Sequence, residues 1–120
     1  MGEPWYLRHE DYVENARRIR DRIGDINDFF YTELSEVEGT RAFETAAVTM
    51  EQLFDAGDDF VTSALEVLEP SELTQYAEDL NVLVRRLSSQ LTELGTSENA
   101  PVDGLVSHVN SLAAEIESLF

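Results

Sequence analysis

Apolar residues recur at steps of three and four along nearly the whole chain, and that rhythm admits only helices. The first segment reads Tyr12, Val13, Ala16, Ile19, Ile23, Ile26, Phe30, Leu34 and Val37. A second carries Phe43, Ala46, Ala47, Met50, Leu53, Phe54, Phe60, Val61, Ala64, Leu65 and Leu68. A third runs Leu73, Tyr76, Ala77, Leu80, Leu83, Val84, Leu87, Leu91 and Leu94, and a fourth Val102, Leu105, Val106, Val109, Leu112, Ala113, Ile116, Leu119 and Phe120. A 3.6-residue helical period places each set on one face. No segment alternates apolar and polar residues with period two, so no strand is expected.

Punctuation divides the stripes. Gly39 suits the left-handed conformation that ends a helix, and Thr40 is a candidate cap for the next. Pro70 disfavours a helical residue before it and suits a first helical turn. Gly95 reads as a stop, with Thr96 to Pro101 as the one clear loop. The expected helices run from Pro4 or Asp11 to Glu38, Arg41 to Leu68, Ser71 to Leu94, and 100 to 120. Each stripe is wider than a coiled-coil seam, and the joints are short. The expectation is an all-α, antiparallel (up-down-up-down) four-helix bundle, with residues 1–120 as one domain. Val37-Glu38-Gly39-Thr40 echoes Leu94-Gly95-Thr96, but Gly-Thr is a common helix joint and the echo reads as coincidence.

Charge is the unusual property. Twenty-five acidic residues face eight basic ones, all arginine, for a net charge of −17. Such self-repulsion opposes compaction at low salt. An acid-rich, lysine-free composition resembles that of proteins from salt-accumulating halophiles, the haloarchaea above all, where the Debye length of ~3 Å at molar salt screens the repulsion. The competing reading is an acidic DNA mimic that occupies the nucleic-acid site of another protein. Either way, direct nucleic-acid binding is disfavoured. Absence of cysteine excludes disulfides, thiol catalysis and thiolate metal sites. No apolar run approaches the ~18 residues of a membrane span. The opening Met1-Gly2-Glu3-Pro4-Trp5 lacks the build of a secretory signal, and Tyr6 stands where myristoylation requires Ser or Thr. A cytoplasmic location is expected.

Candidate chemistry is sparse. A di-metal bundle needs Glu-x-x-His on two helices, but Tyr6 and Leu105 stand three residues before His9 and His108. His108 also lacks the neighbouring lysine of phosphotransfer bundles, so it reads as a solvent-facing or rim residue. Asp55, Asp58 and Asp59 around Gly57 do not have EF-hand spacing. They read as a solvated face, with the glycine on a seam where another helix comes close. Arg17, Arg18, Arg20 and Arg22 have carboxylates at helical spacing: Asp21 for Arg17, Glu14 for Arg18 and Asp25 for Arg22. Arg85 and Arg86 have none on their own helix and are expected to reach one elsewhere, either within the fold or on a partner. Surplus hydrophobics mark candidate contacts: Trp5, Tyr6 and Leu7, either as a lid on the bundle or as interface anchors, with Val48 and Val82 off their stripes. Phe29 and Tyr31, also surplus, flank the seam residue Phe30, and Phe29 is expected in the core. Partner-contact candidates are therefore Trp5, Tyr6, Leu7, Val82, Arg85 and Arg86. No catalytic, cofactor or metal residue stands out. The expected role is a non-catalytic protein-interaction or self-assembly module, followed by the DNA mimic and then by an enzyme with an unrecognised site.

Overall fold

The stripes become helices in the computed structural model, which describes residues 9–66 and 70–118. The helices are α1 (His9–Glu33), α2 (Arg41–Leu65), α3 (Pro70–Glu98) and α4 (Asp103–Glu117), with a single 3₁₀ turn at Ser35–Val37 after α1. No strand occurs among the described residues. Each helix packs on its sequence neighbours, and α4 returns to α1 to close the ring. The chain is an all-α, antiparallel four-helix bundle, 49 × 24 × 18 Å, elongated because the helices lie side by side.

The residues chosen by periodicity meet along the axis. Ile19, Ile23 and Phe30 of α1 are fully buried with Met50 and Leu53 of α2, Leu80, Leu87 and Leu91 of α3, and Leu105, Leu112 and Ile116 of α4. Leu83, Phe54, Leu65 and Tyr76 share the stripes but lie at their edges. Leu83 is half-buried and the other three are exposed.

The α1–α2 joint is built as its residues require. Gly39 has φ of +93°, a conformation that side chains resist. The Thr40 hydroxyl accepts the Phe43 N–H at 3.2 Å and donates to the Val37 carbonyl at 2.8 Å. One side chain thus caps α2 and ties it to the preceding turn.

Helix ends depart from expectation in several places. α1 tightens into 3₁₀ geometry after Glu33 rather than continuing to Glu38, and α2 ends at Leu65 rather than Leu68. α4 begins at Asp103 rather than near 100 and is helical to Glu117. The largest difference is Gly95, which does not stop α3: the helix continues to Glu98, and Asn99, at φ of 52°, makes the turn. Gly95 is there for contact. A Cβ built on it would lie 2.4 Å from Val102 Cγ2, so the glycine is the socket into which Val102 folds. Proline at 101 constrains Ala100 away from helix, which fixes the break just before it. Gly57 follows its seam reading: α2 is continuous through it, and a Cβ there would come within 3.0 Å of Ile23 Cδ1.

Three substitutions test this packing. Ile26→Asp should abolish the cooperative thermal transition, because Ile26 is buried and an aspartate there has no counter-charge. Leu83→Asp, on the half-buried edge, should lower the midpoint but leave a transition. Gly95→Ala should cost about 1–3 kcal/mol through overpacking, and a Val102→Ala background should relieve most of that loss. An equal loss in both backgrounds would show that Val102 is not the cause.

Candidate functional site

Polar chemistry concentrates on the two seams that hold α4. On the α1 side, Glu115 projects between two successive turns of α1 and receives Arg18 Nε at 2.8 Å and Arg22 through a short ion pair. Arg22 also donates to the Ser111 hydroxyl at 3.1 Å, and Arg18 to Asn15 at 2.5 Å. Glu115 is only 19% exposed, so this pairing is less screened than one in open solvent. On the α3 side, Arg85 pairs with Glu117, Asn81 donates to the same carboxylate at 3.3 Å, and Ser88 donates to Asn110 at 2.9 Å.

The intrahelical pairs expected within α1 do not form. Arg18 and Arg22 turn from Glu14 and Asp25 to α4, and Arg17 has no ion pair among the described residues. An exposed i, i+4 pair is worth only a few tenths of a kcal/mol, whereas Glu115 is held in place and partly shielded. Arg85 does reach a carboxylate outside α3, although it lies on α4 rather than on the acid-rich α1 or α2. Arg86 is exposed, with no ion pair among the described residues. Val82 is 55% exposed, one turn from both arginines on the outer side of α3. Trp5, Tyr6 and Leu7 lie outside the described residues.

Phe29 is not in the core. It stands at the mouth of the α1–α4 seam with its ring edge-on to His108, centroids 5.5 Å apart. With Arg22, Asp25 and Ile26 the pair lines a groove of about 300 Å³. Arg22 in this groove is engaged by Glu115 and Ser111. Among the described residues no group of three His, Asp or Glu side chains is placed to hold a metal ion. No helix there is long and apolar enough to cross a membrane.

The third feature is the outer groove between α1 and α2. Arg20, Asp21, Gly24, Asn27 and Asp28 line one wall, and Phe54 and Asp58 the other. Phe54 is 40% exposed, and Leu65, eleven residues further along α2, points the same way and is 50% exposed. Tyr31 stands at the far end of α1, edge-on to Phe30 and Phe43 and itself exposed. Exposed apolar side chains thus stand beside charged ones along this side of the bundle. Sequence reading missed it because Phe54 and Leu65 share the stripe of α2. The available signal was an interior glycine at 24 with no role in capping.

Comparison with known proteins gives no match, whether to a family model, a curated protein or a solved structure.

Glu115 should matter more than its neighbour two residues on. Glu115→Gln should cost about 1 kcal/mol in dilute buffer because two guanidinium groups lose their carboxylate. Glu117→Gln, at a more exposed site, should cost less. Denaturant titrations at low and molar potassium chloride would test this. A Glu117→Gln loss equal to or larger than the Glu115→Gln loss would contradict the clamp.

Proposed function

We propose that the chain is a non-catalytic interaction module, working in a salt-rich cytoplasm and using the outer surface of its bundle to dock protein, whether another copy of itself or a different chain. The observation that carries this reading is the α1–α2 face, where Tyr31, Phe54 and Leu65 remain exposed although the core behind them is closed. Large aromatic side chains on a surface otherwise crowded with carboxylates are the residue types that anchor protein interfaces. The arginine pairs support the same reading from the other direction: those at the α4 seams are spent on holding helices together, not on a reaction centre.

The acidity favours a saline setting over DNA mimicry. A mimic needs an uninterrupted array of carboxylates, and Arg17, Arg18, Arg20 and Arg22 interrupt it on α1. Duplex DNA competing with the chain for a basic protein would support the mimic instead.

Phe54→Asp and Leu65→Asp should leave the melting transition in place, because both side chains are exposed. They should also remove the complexes formed by the parent chain, seen by sedimentation of the pure protein and by cross-linking in extract of the host. A parent chain that forms no complex of any kind, in dilute or molar potassium chloride, would sink the interaction reading. The saline reading has its own test. The melting temperature should climb steeply from dilute buffer to molar potassium chloride as repulsion is screened, and a salt-insensitive midpoint would remove it.

A further inference from the structure

We infer that a second copy of this chain docks antiparallel on the outer face of α1, the two α1 helices crossing at Gly24. The inference rests on the interaction-module reading and names its partner.

Gly24 and Gly104 are the described glycines that the fold does not require; a Cβ on Gly104, in the first turn of α4, would make an ordinary 3.8 Å contact with Phe29, whereas Gly24 is mid-helix. It lies in the interior of α1, where glycine is less favourable than alanine. Gly57 and Gly95 lack side chains because Ile23 and Val102 occupy the space, and Gly39 because its φ is positive. Gly24 has neither reason: a Cβ built there meets nothing within 4 Å, and its φ is not in the left-handed region. What a bare helix surface provides is close approach by another backbone, and here the space is outside the molecule. Phe54 stands exposed in the same groove.

The residues around Gly24 supply the orientation. Arg20 and Asp28 lie four residues on either side of it, and Arg17 and Tyr31 seven, all near one face of the helix. A two-fold axis through Gly24 with the helices antiparallel sets Arg20 of one copy opposite Asp28 of the other, and the reciprocal pair forms by symmetry. Arg17 comes opposite Tyr31 of the second copy, where a guanidinium lies well over an aromatic face. Two of these groups are engaged within the chain, Arg20 by Asp21 and Tyr31 by the rings of Phe30 and Phe43. The ion pair of Arg20 is with adjacent Asp21 at 3.4 Å, the two side chains 40% and 71% exposed, and neither Arg17 nor Asp28 has one among the described residues. A parallel arrangement would place like charges together. These pairings favour the antiparallel crossing of two copies, against the repulsion of Asp21, Asp25 and Asp58 in the same groove, which salt must screen. Two bodies of charge −17 repel at long range, so association should strengthen as salt screens the net charge.

The chain contains no cysteine, which permits a direct test. Gly24→Cys puts a single thiol on the proposed axis, in space that is open within the monomer. Val82→Cys puts one on a more exposed outer position of α3. Under mild oxidation at equal concentration, Gly24→Cys should form covalent dimers on the order of tenfold faster or more, since disulfides need Cβ atoms within about 4.5 Å. Charge exchange supplies the second test. Arg20→Asp and Asp28→Arg should each raise the dimer dissociation constant about tenfold or more by setting like charges together. The double variant, with the parent's net charge, should restore the parent value. Loss of affinity in Asp28→Arg is the more telling, because that change lowers the overall repulsion.

A parent chain that sediments as a monomer in both dilute and molar potassium chloride overturns the second-copy inference. If cross-linking in extract still captures another protein, the interaction reading survives that failure. A dimer in which both thiols cross-link at equal rates and the charge exchange restores nothing overturns the Gly24 crossing while leaving self-association in place.

Discussion

Closing the ring between α1 and α4 is what turns a row of neighbouring helices into a four-helix bundle. Three of the four helix pairings join sequence neighbours through short connections, and those neighbours meet almost by default. The fourth joins helices at opposite ends of the chain, and α4 has only 15 residues with which to hold its place. Burial of Leu105, Val109, Leu112 and Ile116 drives that helix into the core, but hydrophobic attraction has no direction. The carboxylates of Glu115 and Glu117, gripped from α1 and α3 in turn, supply one. Few arginines are available in this chain, and Arg18, Arg22 and Arg85 are used in this way.

That placement explains why the core could be read from the sequence while the ion pairs could not. Periodicity reports which face is dry, and Ile23, Leu53, Leu87 and Leu112 are buried for that reason alone. Which carboxylate Arg18 will choose depends on how the helices are ordered in space. Spacing along one helix offered Glu14, but the folded ring offers the better shielded Glu115. Phe29 fails for a related reason. It flanks Phe30 on the stripe, and a rotation of one residue carries it from the axis to the seam with His108. Arg85 was legible as a residue that must look outside its own helix, although not as one that looks to α4.

The glycines show how one residue type holds different meanings. Gly39 is conformational, reversing the chain where a side chain would strain it. Gly57 and Gly95 are volumetric, vacating space for Ile23 and Val102. Reading Gly95 as a stop was reasonable from the sequence, since a helix terminator and a packing socket look identical there. The surface around Gly24 was harder to see, because its neighbours Arg20 and Asp28 look like ordinary solvated charges until an exposed Phe54 is placed beside them.

The order of pairings around the ring also bears on how the chain reaches and leaves its native state. α1, α2 and α3 can zip together through near-neighbour pairings, which cost little loop entropy and form quickly. Joining α4 to α1 must close most of the chain into a loop, and the seam between them is less extensive than the other three. A smaller seam closed at a larger entropic cost should be the last to be sealed and the first to breathe. Backbone amides of α4 facing that seam would then exchange with solvent through partial openings that leave the other three helices assembled.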